Sequence, residues 1–176
     1  MSIFTDHIEP AEKQQAGVAD TLWVGLVEDM TTIGAVDPAA TTIAGKLTIT
    51  TAHAFTTGEG FIKVGLLPNT GLMTDSAEGE LGSEVNTPTF TGIARESKEL
   101  KYMIESGKKM ILLWRPAQCT DSEYRQLGDE CNPASMRANF SSGSAGGSGD
   151  RRGYSITATA PNESKYYDAA VDLIGA

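Results

Sequence analysis

The chain has 176 residues, enough for one ordinary domain with a closed core. Its 23 acidic against 14 basic residues give a net charge of −9, which argues against a protein that grips nucleic acid, because phosphate binding needs clustered Lys and Arg. Hydrophobic residues are 40% of the chain and glycines number 19; this predicts a modest core with many turns. It does not predict disorder throughout, since the apolar residues come in runs such as Met110-Ile111-Leu112-Leu113-Trp114.

From the N-terminus, Met1-Ser2-Ile3-Phe4-Thr5-Asp6-His7 has neither a basic nor an apolar stretch, so no signal peptide is expected. No run approaches membrane-spanning length, so no membrane anchor is expected either, and the chain reads as a soluble product of a cytosol. Residues 1–18 are polar, with Glu9-Pro10 and Gly17, and read as an arm that orders only against something else. The apolar, β-prone stretch 21–27 predicts a buried strand, followed by a polar break at 29–32 and a turn at Asp37-Pro38. Thr-rich alternation over 41–51 predicts a strand with one wet face. Another strand is predicted at 61–67, closed by Pro68-Asn69-Thr70-Gly71. Residues 72–88 are acidic, rich in Gly and Ser and without a period, so a long loop is expected, the loop region as a whole running from about 51 to 88.

A short strand at 90–92 leads into the one predicted helix, 93–105. Ile93, Leu100, Met103 and Ile104 share its apolar face, and Arg95 with Glu99 forms an i,i+4 pair. Ser106-Gly107 ends it, with glycine at the expected left-handed position. The strongest strand, 110–115, is stopped by Pro116. A turn at 120–122 and a polar return at 123–128 complete a β-hairpin. One more short strand is predicted at 136–140 and a flexible Gly/Ser tip at 141–149. A cleanly alternating strand follows at 153–160. The tail beyond 161, with Tyr166-Tyr167, reads as a last strand or a docking arm.

Candidate sites weigh out mostly as structure. Cys119 and Cys131 make no disulfide framework, are out of step in simple hairpin register, and read as reduced. His7 and His53 lie too far apart in sequence for paired zinc ligands. His53 lacks any elbow or triad signature and reads as an ordinary loop or strand-end histidine. The stretch 143–152 resembles a phosphate loop only in its glycines: a strand follows instead of Lys-Ser or Lys-Thr opening a helix, and Arg152 stands where a dinucleotide fingerprint needs glycine. Arg151-Arg152 beside Asp150 reads as a charged flank keeping an edge soluble. Asp75, Glu78, Glu80 and Glu84 lack the ligand spacing of a calcium loop. No catalytic residue, cofactor or metal is therefore expected. The apolar side chains Phe55, Phe61, Leu66, Leu67, Leu72 and Met73 are candidates for an assembly interface completed by a neighbouring chain; a hairpin packed on its own domain stands equally open.

Taken together, the early strand 22–27, the long loop of about 51–88, the lone helix 93–105 running into strand 109–115, the return 123–128, and the Gly/Ser loop closed by 153–160 resemble the tail tube proteins of tailed bacteriophages. The likeness covers roughly residues 20–165 in outline and carries no diagnostic signature. It implies a mainly β fold with one flanking α-helix, a β-sandwich or partial barrel that joins its neighbours into a ring. Hexameric rings would stack into a virion tail tube, with the arms folding on adjacent copies and DNA passing without specific binding. Its partners would be other copies and other phage tail proteins. The alternatives are another phage component of related fold (a tail terminator, neck or capsid decoration protein) or a β-sandwich enzyme or binding module.

Overall fold

The computed structural model describes residues 17–78, 85–117, 123–143 and 152–174. The fold is mainly β and sandwich-like, with no closed barrel. In chain order the strands are β1 (Val18–Leu26), β2 (Met30–Thr32), β3 (Thr48–Ile49), β4 (Ala54–Phe55), β5 (Ile62–Gly65), β6 (Leu72–Thr74), β7 (Ala77–Glu78), β8 (Val85–Asn86) and β9 (Thr89–Ala94). They continue with β10 (Met110–Pro116), β11 (Tyr124–Leu127), β12 (Ser135–Ser141), β13 (Gly153–Thr159) and β14 (Lys165–Tyr167). Helix α1 (Ile43–Leu47) precedes β3, and α2 (Lys98–Glu105) joins β9 to β10.

Two sheets make the sandwich. One has six strands in the order β3-β14-β11-β10-β1-β5, the other four in the order β12-β13-β9-β6. At the centre of the larger sheet, β1 pairs antiparallel with β10, from Leu22 opposite Trp114 to Leu26 opposite Met110. Five consecutive residues of β10, Met110 to Trp114, are buried. In a strand, successive side chains point to opposite faces, so such a run means that both faces are covered. Leu112 and Trp114 face the four-stranded sheet, meeting Phe90, Ile156 and Ala158, with Leu100 and Met103 of α2 closing that core. Leu113 faces the other way, into a smaller cluster with Trp23, Ile49, Phe61 and Tyr167.

Several expectations hold: the early strand, the strand at 62–65, the β10–β11 hairpin, β12 and β13 all form. Asn69 and Gly107 carry left-handed φ values of 59° and 62°, as the turn after β5 and the end of α2 require. Others are corrected. The segment 41–51 is not one strand: 43–47 form α1, and only Thr48–Ile49 pair. The reason is local. Thr42 is extended and its Oγ1 accepts from the Gly45 N–H at 3.1 Å, making it a helix cap instead of a strand residue. The helix expected from 93 starts at Lys98, because Ile93 and Ala94 belong to β9 and Ser97 Oγ caps the first turn from Leu100 N–H at 3.0 Å. Arg95 thus lies outside the helix, and the observed i,i+4 pair is Lys101–Glu105 at 3.6 Å. The region 51–88 is not one long loop, since it carries β4 to β8.

Of the two readings of the C-terminal segment, a last strand or a docking arm, the strand forms. It docks on its own chain: β14 pairs with β11 and, in parallel, with β3. Beyond it, Phe61 N–H donates to Asp172 O at 2.8 Å and Ile174 N–H to Phe61 O at 3.3 Å. The Tyr167 ring is fully buried, which no solvent-side arm would require.

Ser97→Ala is expected to cost about 1 kcal/mol of unfolding free energy in a denaturant titration, as removal of a helix cap does. Arg95→Ala, outside the helix, should change it by less than about 0.5 kcal/mol.

Candidate functional site

The four-stranded sheet is buried on one face only. In β9, Phe90, Gly92 and Ala94 point to the core and alternate with Thr89, Thr91 and Ile93. The register aligns the outward residues into rows: Ser135–Thr159–Thr89–Thr74, Arg137–Thr157–Thr91–Leu72, and Asn139–Ser155–Ile93. Hydroxyl and amide side chains dominate this face. Among the described residues of the four strands its one charge is Arg137.

The strands β12 and β6 are the edges of this sheet. All its neighbours are antiparallel, so β12 and β6 run in opposite directions. A copy placed beside another, β6 against β12, therefore continues the antiparallel alternation. Among the described residues no further strand pairs with either edge, and sheet edges of this kind template pairing with another chain.

The six assembly candidates separate. Phe61 and Leu66 are only 1% exposed and belong to the two cores, which corrects their reading as interface residues. Phe55 is half-buried edge-on to Phe61, with ring centroids 5.1 Å apart. Leu67 is half-buried and donates its N–H to Ile93 O at 2.8 Å. Met73 packs on the main core from β6, and Leu72, 53% exposed, is the one candidate that faces solvent. Alternation in β6 explains this pair: Met73 points inward, Leu72 and Thr74 outward.

The remaining candidates stay dispersed. Among the described residues no three His, Cys, Asp or Glu side chains converge as metal ligands, and no helix is long and apolar enough to cross a membrane. Asp75 is exposed and accepts from Ser164 Oγ at 2.8 Å. Arg152 pairs with Glu96 at 2.7 Å. Cys131 is exposed and reduced. Arm residues 1–16 with His7, Cys119 and the 120–122 turn, Glu80, Glu84, and 144–151 of the Gly/Ser tip with its arginine neighbour lie outside the described residues.

His53 is the exception to the reading as an ordinary loop histidine: it is 3% exposed and fully engaged. Its Nδ1 accepts from the Gly34 N–H at 3.1 Å, so the ring proton belongs on Nε2, which donates to Gln126 Oε1 at 2.8 Å. Gln126 in turn donates from Nε2 to Gly128 O at 2.9 Å. The imidazole stacks on Tyr167 at 5.0 Å and 3°, and the Tyr167 hydroxyl accepts from the His53 backbone N–H and donates to Ala170 O. Burial pulls the imidazole below its ordinary value, against the opposing bond to Gln126. Burial also pushes the Tyr167 phenol up. Three segments remote in sequence thus meet on one neutral ring. Nothing in the sequence around His53 names Gln126 or Tyr167 as its partners, and the polar return that carries Gln126 gave no sign that this residue is buried.

No protein-family model, curated protein or solved structure matches the chain.

Gln126→Leu keeps the volume but leaves the His53 Nε2–H without an acceptor in a buried place. It is expected to lower the unfolding free energy by about 1–3 kcal/mol, read from the denaturant midpoint.

Proposed function

We propose that the chain is a structural subunit that assembles with copies of itself, edge to edge through the four-stranded sheet, into hexameric rings. The rings stack into a tube of the phage-tail kind, a virion conduit through which DNA moves without being held. No residue acts as a catalyst in this reading; its partners are further copies and the other proteins of the particle.

One observation carries it: the four-stranded sheet has a hydroxyl-rich outer face whose one charge among the described strand residues is Arg137, together with two edges of opposite direction. Repeating one heterologous contact with a fixed rotation closes a ring, and closure abolishes the edges that a small β domain otherwise leaves open. The outer faces then line the inside. A wall of Ser, Thr and Asn offers DNA neither the cationic grip of a binder nor a dense field of carboxylates. The acidity of the chain accordingly falls elsewhere than on these strands. The docking of 165–174 on its own body removes one of the arms expected to tie rings together. That favours, as the second reading, a ring-forming component of the same particle that caps or joins a tube without repeating along it.

Within one copy a single row runs from Arg137 to Leu72; we place the Leu72 end of that row opposite Arg137 of the next copy in the proposed continued sheet. Like charges opposite each other on a sheet repel, by roughly 0.2–1 kcal/mol per contact. Leu72→Lys is therefore expected to shift sedimentation toward the monomer at a given concentration, whereas Leu72→Glu holds or strengthens the assembly. Leu72 is exposed, so neither change should alter monomer stability. Identical sedimentation of both variants and the parent would contradict the edge contact.

A further inference from the structure

We propose that His53 is an acid-sensitive latch that holds residues 33–36 closed against the body at neutral pH and releases them when its ring takes up a second proton. Residues 33–36 carry no strand or helix. They form one wall of a cavity of about 450 Å³ whose floor includes Ile49 and whose rim carries Asp129, Glu130 and Lys165. What fastens this wall is specific. The Gly34 N–H points into the protein and finds Nδ1 of His53 as its acceptor. The approach is close enough that a Cβ at residue 34 would lie 2.1 Å from Thr51 O, so only glycine brings the N–H there.

A proton on Nδ1 turns that acceptor into a donor. Two N–H groups then face each other at hydrogen-bond distance in a buried place, and Gly34 is left without a partner. The other ties of the ring survive. Nε2 already carries a proton and keeps its bond to Gln126, and the stacked Tyr167 face attracts an imidazolium. The bond to Gly34 is thus the one that fails, and the wall moves while the ring stays with β11 and β14.

The charged and titratable groups around the ring do not oppose this. On β14, Tyr167 is in contact, and Lys165, in register with Gln126, is ion-paired with Glu163. After β11, Asp129 is held by the Asn132 N–H and the Asn162 amide, and Glu130 is exposed. Phe61 presents a ring edge. No carboxylate accepts from either ring nitrogen among the described residues. Burial holds the closed imidazole below the ordinary value of 6.5. The open or unfolded form therefore binds the proton more tightly. Closure is complete above that ordinary value and is lost as pH falls from it toward the lowered one.

The test combines ring NMR with amide hydrogen exchange. A His7→Gln background leaves one imidazole to titrate, and the readings run from about pH 7.5 to about pH 4.5. The expected result is that Gly34 and its neighbours lose protection by about tenfold or more, after correction for intrinsic rates, in step with protonation of His53. The amides of β10 and of 165–174 should keep theirs. His53→Gln, which cannot titrate, should make exchange at 33–36 independent of pH in this range. The latch is overturned if the ring titrates while Gly34 stays protected. It is equally overturned if the ring stays neutral until the whole chain unfolds, or if 33–36 and β10 lose protection together.

Discussion

The antiparallel pair of β1 and β10 is the constraint on which the rest of the molecule depends. Both strands are apolar on both faces, so neither is satisfied by a single layer. Covering one face requires the four-stranded sheet and α2; covering the other requires β4, the segment 33–36 and the C-terminal residues around Tyr167. A three-layer demand on a chain with a modest apolar content leaves no described element packed on the outer face of the four-stranded sheet. That face is accordingly dominated by Ser, Thr and Asn, with Arg137, Leu72 and Ile93 among them. Among the described residues β6 and β12 remain the edges of that sheet. Openness at those edges follows from where the hydrophobic residues were spent.

The second cluster is held by polar bonds as much as by burial. Trp23, Ile49, Phe61, Leu113 and Tyr167 form a core too small to close by itself, and His53 joins its parts by bonding a loop, a strand and the C-terminal segment. A ring that satisfies two hydrogen-bond partners in one protonation state is a rigid fastener in that state and a poor one in the other. Seating the C-terminal residues here also decides what they do. They complete the fold of their own chain.

Much of the fold was legible because its strongest strands obey a single period or form unbroken apolar runs. Residues 110–115 read as the strongest strand and 153–160 as a cleanly alternating one, and both segments form strands, Met110–Pro116 and Gly153–Thr159. What misled were positions where a side chain bonds its own backbone. Thr42 and Ser97 moved helix boundaries through one oxygen each, while the apolar spacing that placed Ile93 on a helix face fits a strand equally well. Strands of two or three residues were invisible because they are too short to show a period: β4 owes its existence to β2, remote in sequence, and β7 and β8 to each other within an acidic, Gly-rich stretch. Of the candidate interface, exposure at Leu72 and burial at Phe61 were indistinguishable in sequence, since both are apolar residues near turns. The His53 partnership was equally illegible: its contacts span from 19 to 114 positions along the chain.

The central claim is that the borders of the four-stranded sheet are completed by other copies. Amide hydrogen exchange at 72–74 and 135–141, compared between dilute protein and protein concentrated until it sediments as larger species, addresses it directly. The account predicts that these edge amides gain about tenfold or more in protection on concentration while β10 is unchanged. Edge amides exchanging equally fast at both concentrations, in a chain that keeps the mass of a single copy, would contradict it.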